Sequence, residues 1–227
     1  MFVILAYMKK ELTINSLIEE ARAFCQIMSA ENHTELLGVT DGKAVGTYVE
    51  HRFEKHLLDR YEVEIGNSAK GIDLPGKGIE TGIKVTSMAQ PQSSCPYKNA
   101  RQKIFGLGYS LLLFVYDKHD SENGCSLQFA HCAFIESTRT SDYTTTKRLR
   151  EMLGDGANKE DIVAFLEDRN LPGDEIMYNE LAREILQTPP EQGYLTISNA
   201  LQWRLQYGRI IELKNSIDGI TNYDRVE

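Results

Sequence analysis

The feature that most constrains the fold is a stretch in the middle of the chain, YSLLLFVYDK, whose residues 111–116 are all apolar. A strand with one face in water alternates apolar and polar residues, whereas a continuous apolar run is typical of a strand buried on both faces. Such a strand lies inside a sheet that other layers cover on both sides. We therefore predict a central mixed sheet flanked by helices, which is an α/β fold.

The segments around this strand complete the predicted core. Asp41 is placed to cap a helix, and apolar residues of that helix repeat every four positions at Val45, Val49, Phe53 and Leu57. Alternation of apolar and polar residues indicates further strands. The predicted helices cover residues 11–30, 40–60 and 99–108, and the predicted strands cover residues 61–66, 81–87, 109–118 and 125–137.

The last third of the chain has helical patterns separated by the turn sequences GDG, NLPG and TPPEQG. The predicted helices cover residues 146–153, 158–168, 174–187 and 198–207. We therefore predict two parts, a core at residues 1–140 and a helical C-terminal subdomain at residues 141–227.

The composition fits a folded intracellular protein. The chain has 227 residues, of which 41% are hydrophobic and 26% charged, so it can bury a core. Its four cysteines have no CxxC spacing, which argues against a zinc site. The N-terminal apolar run is too short to span a bilayer, and no later stretch approaches about 20 apolar residues. We expect a soluble cytoplasmic protein that does not associate with membranes.

Three charged residues are placed to act together. Asp73 ends an extended segment beside a turn, and Lys84 lies on the next strand, across a hairpin that can bring both side chains to one end of the sheet. Glu50 follows Gly46 by one helical turn, and a glycine there lets the helix approach the sheet. Converging carboxylates supply the oxygen ligands of a divalent metal, and a positive group stabilises the charge that develops on a reacting phosphate.

The order of these residues resembles that of the PD-(D/E)xK nucleases, and type II restriction endonucleases in particular. The resemblance rests on Glu50, the GID of residues 71–73 and the GIKVTS of residues 82–87, and it extends over residues 39–118. It implies a PD-(D/E)xK restriction-endonuclease-like core with a catalytic site formed by Glu50, Asp73, Glu80 and Lys84. It also implies Mg²⁺ held by the three carboxylates, double-stranded DNA as substrate, and a homodimer that cuts both strands at a specific sequence.

One position departs from this family pattern, which expects Asp or Glu two residues before the lysine. The residue there is Gly82. Side chains alternate along a strand, so Glu80, Gly82 and Lys84 share one face at intervals of about 6.6 Å. Either Glu80 leans across the gap, or Glu50 supplies the missing carboxylate, or the ligand is lost and the chain is inactive.

The polar loop after this strand, together with the start of the next helix, is a candidate for contact with DNA. Amide, hydroxyl and basic side chains read base edges or bind phosphates. The candidates are Gln90, Gln92, Ser93, Ser94, Tyr97, Lys98 and Arg101. An ordinary polar loop is the alternative. The predicted last helix, SNALQWRLQY, is either the recognition helix of a helix-turn-helix or an apolar surface for the core or a dimer. In the first case Gln202, Arg204 and Gln206 are suitable readers of the bases.

Each of these residues also has an ordinary structural interpretation, as a turn aspartate, a solvated helix glutamate or a surface lysine. Three classes of function follow. The first is a sequence-specific, magnesium-dependent endonuclease. The second, suggested by Gly82, is a catalytically impaired DNA-binding protein on the same fold. A repair or structure-specific nuclease is a separate alternative to the restriction enzyme. The third is an unrelated metabolic or interaction protein, suggested by the net charge of −8, because DNA-binding proteins gather positive charge on one face.

Overall fold

The computed structural model describes residues 9–66, 72–198, 204–213 and 215–224. The helices of these residues are α1 (Ile14–Ala30), α2 (Gly42–Leu58), α3 (Ala100–Phe105), α4 (Tyr143–Gly154), α5 (Lys159–Asp168), α6 (Glu175–Gln187) and α7 (Gly208–Glu212). The strands are β1 (Lys10–Glu11), β2 (Tyr61–Glu62), β3 (Thr81–Ser87), β4 (Gln92–Ser94), β5 (Ser110–Ser121), β6 (Gly124–Ile135), β7 (Thr196–Ile197), β8 (Arg204–Gln206) and β9 (Ile220–Asp224).

A four-stranded mixed sheet forms the centre of the molecule, in the order β3-β5-β6-β9. β3 and β5 are parallel and are joined by α3, while β6 runs antiparallel to both β5 and β9. β3 is therefore an edge strand of this sheet. A second sheet of three antiparallel strands has the order β4-β8-β7. In sequence, β4 lies between β3 and β5, and β7 and β8 lie between β6 and β9.

β5 is buried on both faces, as its apolar run predicts. One core, which includes apolar residues of α1 and α2, takes in Leu112, Phe114 and Tyr116. A second core, which includes residues of β7, β8 and α7, takes in Leu111, Leu113 and Val115. All six side chains are at most 4% exposed. The predicted central sheet covered on both sides is thus confirmed.

The two helices that cover the first face begin at side-chain caps. Thr13 and Ser16 form a reciprocal capping box at the start of α1. Asp41 accepts a hydrogen bond of 3.0 Å from the Lys43 backbone N–H at the start of α2, which confirms its predicted role. The buried positions of α2 are the four predicted from the period, Val45, Val49, Phe53 and Leu57.

The predicted helices of the C-terminal third are confirmed for α4, α5 and α6, which share a third core with α3. None of the helices in the described ranges combines the length and the apolar character that crossing a membrane requires.

The prediction that the end of the chain is helical is wrong. Arg204–Gln206 is a strand, not part of a helix over residues 198–207, and residues 199–203 of that prediction lie outside the described residues. The physical reason is visible in LQWRLQY, where apolar and polar residues alternate strictly, as the two faces of a strand require. Ile220–Asp224 is also a strand, and it pairs with β6 in the central sheet. The predicted strand at 61–66 shortens to Tyr61–Glu62.

Candidate active site

A cleft of about 720 Å³ follows the edge strand β3, between α2 on one side and the β4-β8-β7 sheet on the other. Its lining comes from three parts of the chain that are far apart in sequence, namely residues 41–50, residues 83–94 and Arg204. The lining residues are Asp41, Gly42, Lys43, Gly46, Thr47, Glu50, Ile83, Lys84, Val85, Gln90, Gln92, Ser93, Ser94 and Arg204.

The α2 side of the cleft is one stripe of the helix. Lys43, Gly46, Thr47 and Glu50 stand at positions i, i+3, i+4 and i+7, so they lie on one helical face. A methyl group added to Gly46 would lie 3.8 Å from the Cβ and the carbonyl oxygen of Val85, an ordinary contact distance. The helix therefore runs directly against β3, and this approach places Glu50 at the strand.

Glu50 lies in an environment that disfavours its negative charge. Burial raises the pKa of the Glu50 carboxyl above its ordinary value, and the negative charge of Asp73 raises it further. Glu54 adds to this effect, while Lys84 lowers the pKa. Glu50 and Asp73 are thus close enough for their charges to repel, with Lys84 close enough to oppose the repulsion.

The hairpin predicted between Asp73 and Lys84 is present. Leu74 and Thr81 pair through two backbone hydrogen bonds of 2.9 and 3.0 Å. The Ile83 backbone N–H donates to Asp73 Oδ2 at 2.5 Å, which holds the carboxylate at β3, directly before Lys84. The Lys84 ammonium donates to the Ile83 carbonyl oxygen at 3.0 Å.

Glu80 and Gly82 do not complete this group. The Glu80 side chain is exposed and accepts a hydrogen bond of 2.9 Å from the Gly78 backbone N–H, within the hairpin turn. A Cβ on Gly82 would lie 3.0 Å from Tyr109 Cε2 and 3.3 Å from Leu111 Cδ2. The space in which the family pattern expects a carboxylate is therefore filled by an aromatic ring. The structure brings together Glu50, Asp73 and Lys84.

Comparison with known proteins decides the family. A family model described as type II restriction enzyme NspV matches residues 11–222. The type II restriction enzyme NspV of Nostoc sp. is 54% identical over 211 residues, which are 92% of this chain and 95% of that relative. The chain belongs to the NspV family of type II restriction enzymes. No solved structure gives a significant match. The resemblance to type II restriction endonucleases is confirmed.

In this member of the NspV family, the residues predicted to contact DNA fall into two groups. Those that line the cleft are Gln90, Gln92, Ser93 and Ser94. Those outside its lining are Tyr97, Lys98 and Arg101. Tyr97 is buried, and its hydroxyl donates to the Thr140 carbonyl oxygen. Arg101 forms a bidentate ion pair with Glu184 on α6.

Several residues in the cleft of this NspV family chain, and Glu54 near Asp73, were not identified as site residues from the sequence. Burial raises the pKa of the Glu54 carboxyl, and the charge of Asp73 contributes to the shift. Glu54 follows Glu50 by four residues on α2, so helical spacing alone could have indicated it. Lys43 and Thr47 lie on the same face of α2 as Glu50, so helical spacing could have indicated them too. Arg204 was indicated only as a residue of a predicted recognition helix, because its approach to β3 depends on the pairing of β8 with β4.

The arrangement can supply two carboxylates to a metal ion. No three His, Cys, Asp or Glu side chains of the described ranges are grouped so as to hold one. Glu50 and Asp73 are nevertheless available as ligands, since neither side chain forms an ion pair with a described residue. Their oxygen atoms are the ligands that Mg²⁺ prefers, and Mg²⁺ in proteins usually keeps several waters beside one or two carboxylates. The donor set therefore fits magnesium.

Proposed function

We propose that this chain is a sequence-specific, magnesium-dependent endonuclease that hydrolyses phosphodiester bonds of double-stranded DNA. The observation that carries the proposal is the convergence of Glu50, Asp73 and Lys84 at the edge strand of the sheet, with Glu50 and Lys84 in the lining of an open cleft. Membership of a restriction-enzyme family supports DNA as the substrate.

The core is proposed to be of the PD-(D/E)xK type. In support, an aspartate precedes a hairpin, a lysine follows on the second strand of that hairpin, and a crossover helix leads to a parallel buried strand. The carboxylate that the family pattern expects at Gly82 is then supplied by Glu50 rather than by Glu80. Glu50 interacts with Asp73, whereas the Glu80 side chain is hydrogen-bonded within the turn.

Glu50 and Asp73 would hold Mg²⁺, which when bound neutralises charge on the scissile phosphate and acidifies a water. Lys84 has the charge and position to stabilise the negative charge that develops on the phosphate oxygens. The Ile83 backbone N–H orients Asp73 and so fixes one of the two ligands relative to Lys84. The hydrogen bond from Ile83 thereby couples the geometry of the site to the sheet.

The charge of the cleft favours DNA although the chain as a whole carries −8. Three cations line it, namely Lys43, Lys84 and Arg204, against two carboxylates, Asp41 and Glu50. Among the described residues, none of the three cations forms an ion pair, so each can approach a phosphate or a base. Gln90, Gln92 and Ser94 add uncharged groups for hydrogen bonds to the same substrate.

A homodimer is proposed because one active site cuts one strand. A two-fold axis places two identical sites on the two antiparallel strands of a palindromic sequence. Sedimentation of the protein with and without an oligonucleotide containing its site measures this directly, and a 1:1 complex of one protomer per duplex would exclude it.

The test of the proposed function is cleavage of plasmid DNA with and without magnesium. We expect discrete fragments only with magnesium, and no fragments with Asp73→Asn or Lys84→Ala. Asp174→Asn, at the exposed start of α6, is the matched control and should cut normally. Normal cutting by Asp73→Asn at saturating magnesium would remove this site from consideration. A gel shift without cutting by the wild-type protein would indicate a binding protein on the same fold.

A further inference from the structure

The β4-β8-β7 sheet has one apolar face and one polar face. Leu205 and Ile197 are directly paired, are buried, and belong to the second core. Ser93, paired with Leu205, also points inward, and its hydroxyl hydrogen-bonds to the Tyr207 hydroxyl at 2.7 Å. Because side chains alternate along a strand, the remaining residues of these strands point away from the core.

The outward residues form a continuous polar surface, which we call the polar face. Its members are Gln92, Ser94, Thr196, Arg204 and Gln206. Gln92 lies opposite Gln206, and Ser94 lies opposite Arg204. Within the described ranges, none of the five side chains makes a hydrogen bond or an ion pair. The face thus presents unused donors and acceptors and contains no carboxylate.

The polar face is continuous with the candidate active site. Gln92, Ser94 and Arg204 line the same cleft as Glu50 and Lys84. A DNA duplex whose backbone lies at Glu50 and Lys84 therefore has the polar face next to its bases. This position argues for DNA as the occupant rather than for another protein.

The chemistry of the face suits base edges better than phosphates. Phosphate oxygens only accept hydrogen bonds, so a phosphate site needs donors alone. Side-chain amides and hydroxyls both donate and accept, which matches the mixed pattern of base edges in the major groove. The major groove is wide enough for a two-stranded β-ribbon, and an arginine fork pairs with the O6 and N7 acceptors of guanine.

We propose that the polar face reads the DNA sequence in the major groove, with Arg204 specifying a guanine and Gln206 contributing to an adjacent position. This inference rests on the proposed function and adds to it the element that determines specificity. It assigns sequence reading to β8 as well as β4, so the reading surface is built from two segments about 110 residues apart in the chain.

The experiment uses the site that the wild-type protein cuts, mapped from its own fragments. Binding to a duplex with this site and to an unrelated duplex is measured by fluorescence anisotropy without magnesium, across a range of salt concentrations. For Arg204→Ala we expect a loss of about 5- to 150-fold on the mapped site, with a much smaller change on unrelated DNA. Arg204→Lys keeps the positive charge but loses the fork, so it should show the same loss of discrimination.

Base analogues and controls make the assignment specific. Replacing one guanine of the mapped site by 7-deazaguanine removes its N7 acceptor. At the one guanine that Arg204 contacts, this replacement should weaken binding by the wild-type protein and leave binding by the Arg204→Ala protein unchanged. Arg183→Ala, on the exposed side of α6, is the matched control and should bind as the wild type does. Gln206→Ala should relax the preference at a neighbouring base pair.

The outcomes separate the two proposals. If Arg204→Ala loses affinity equally on both duplexes with a shallower salt dependence, Arg204 binds a phosphate and the inference is wrong. Unchanged binding by both Arg204 variants would also overturn it, while cleavage by the wild-type protein would leave the proposed function intact. A wild-type protein that neither binds nor cuts DNA would overturn both.

Discussion

Glu50 is a carboxyl group whose charge is unfavourable in the folded protein without metal. Burial and the charge of Asp73 raise the pKa of Glu50, so the folded chain binds this proton more tightly than the unfolded chain does. The stabilisation from protonated Glu50 is complete below the ordinary pKa of a glutamate and is lost as the pH rises through the raised pKa. Above the raised pKa, the ionised group therefore destabilises the metal-free fold.

We expect Glu50→Gln to raise the melting temperature of the metal-free protein at pH 7 by about 2 °C, because it removes this repulsion. The same change should lower DNA cleavage by at least about 100-fold, because it removes a proposed metal ligand. Thermal unfolding in EDTA and a cleavage assay measure the two effects. Glu180→Gln, on the exposed side of α6, should change neither. A Glu50→Gln protein that cuts normally would show that the second ligand lies elsewhere.

Gly82 is the residue at which the chain departs from the family pattern, and the structure explains why it is small. Tyr109 and Leu111 occupy the space beside it. We therefore expect Gly82→Glu to lower the free energy of unfolding by about 1–3 kcal/mol through overpacking, without raising the cleavage rate. Denaturant titration and a cleavage assay measure this. A faster Gly82→Glu protein would mean that the natural site lacks a carboxylate and that Glu50 does not replace it.

At the scale of elements, Asp142 joins the helical part of the chain to the β4-β8-β7 sheet. It is buried and caps α4, where its Oδ2 accepts hydrogen bonds from the Thr145 N–H at 2.8 Å and the Thr145 hydroxyl at 2.6 Å. Its Oδ1 accepts from the Ile197 N–H of β7 at 3.0 Å. One carboxylate thus fixes the start of α4 relative to the sheet that carries the polar face.

We expect Asp142→Ala to lower the free energy of unfolding by about 2–4 kcal/mol, because it removes a helix cap and leaves buried N–H groups without partners. Asp174→Ala removes an exposed cap of α6 and should lower it by only about 1 kcal/mol. Urea titration of both proteins measures the difference. Equal losses of unfolding free energy in the two proteins would show that the hydrogen bond from Ile197 to Asp142 adds no stability.

At the scale of the whole molecule, positive charge must be gathered locally because the chain carries −8 overall. Lys43 is exposed, lines the cleft at the start of α2 and forms no ion pair with a described residue. We expect Lys43→Ala to weaken binding of any duplex and to reduce the slope of log affinity against log salt by about 1. Lys98→Ala, outside the cleft lining, is the comparison and should leave the slope unchanged. The opposite result would place the DNA against the loop that contains Lys98.

The pairing of β9 with β6 is evidence on whether residues 141–227 fold separately from residues 1–140. β9 forms five residue pairs with β6, and Ile220 is 1% exposed in the second core. A chain that ends at residue 140 would expose the outer edge of β6 and lose this packing. We expect that chain to be unfolded or aggregated, as measured by circular dichroism and sedimentation. A stable, monomeric fragment with native secondary structure would support the division predicted at residue 140.

Much of the fold and part of the candidate site could be predicted from the sequence. The apolar run of β5, the four-residue period of α2 and the cap at Asp41 are local signals, and local signals determine individual elements. The grouping of Glu50, Asp73 and Lys84 could also be predicted, because the helix and the hairpin that carry them lie close together in sequence. The alternation in LQWRLQY was an equally local signal, and overlooking it produced the wrong helix.

Only the tertiary structure decided what depends on contacts between distant segments. The sequence offers two carboxylates, Glu50 and Glu80, as the second ligand beside Asp73. The packing of α2 on β3 brings Glu50 to Asp73, whereas the turn holds Glu80 away. The place of Arg204 in the cleft follows from the pairing of β8 with β4, and no local pattern encodes such a pairing. Periodicity determines which face of an element is apolar, whereas long-range packing determines which elements share a cleft.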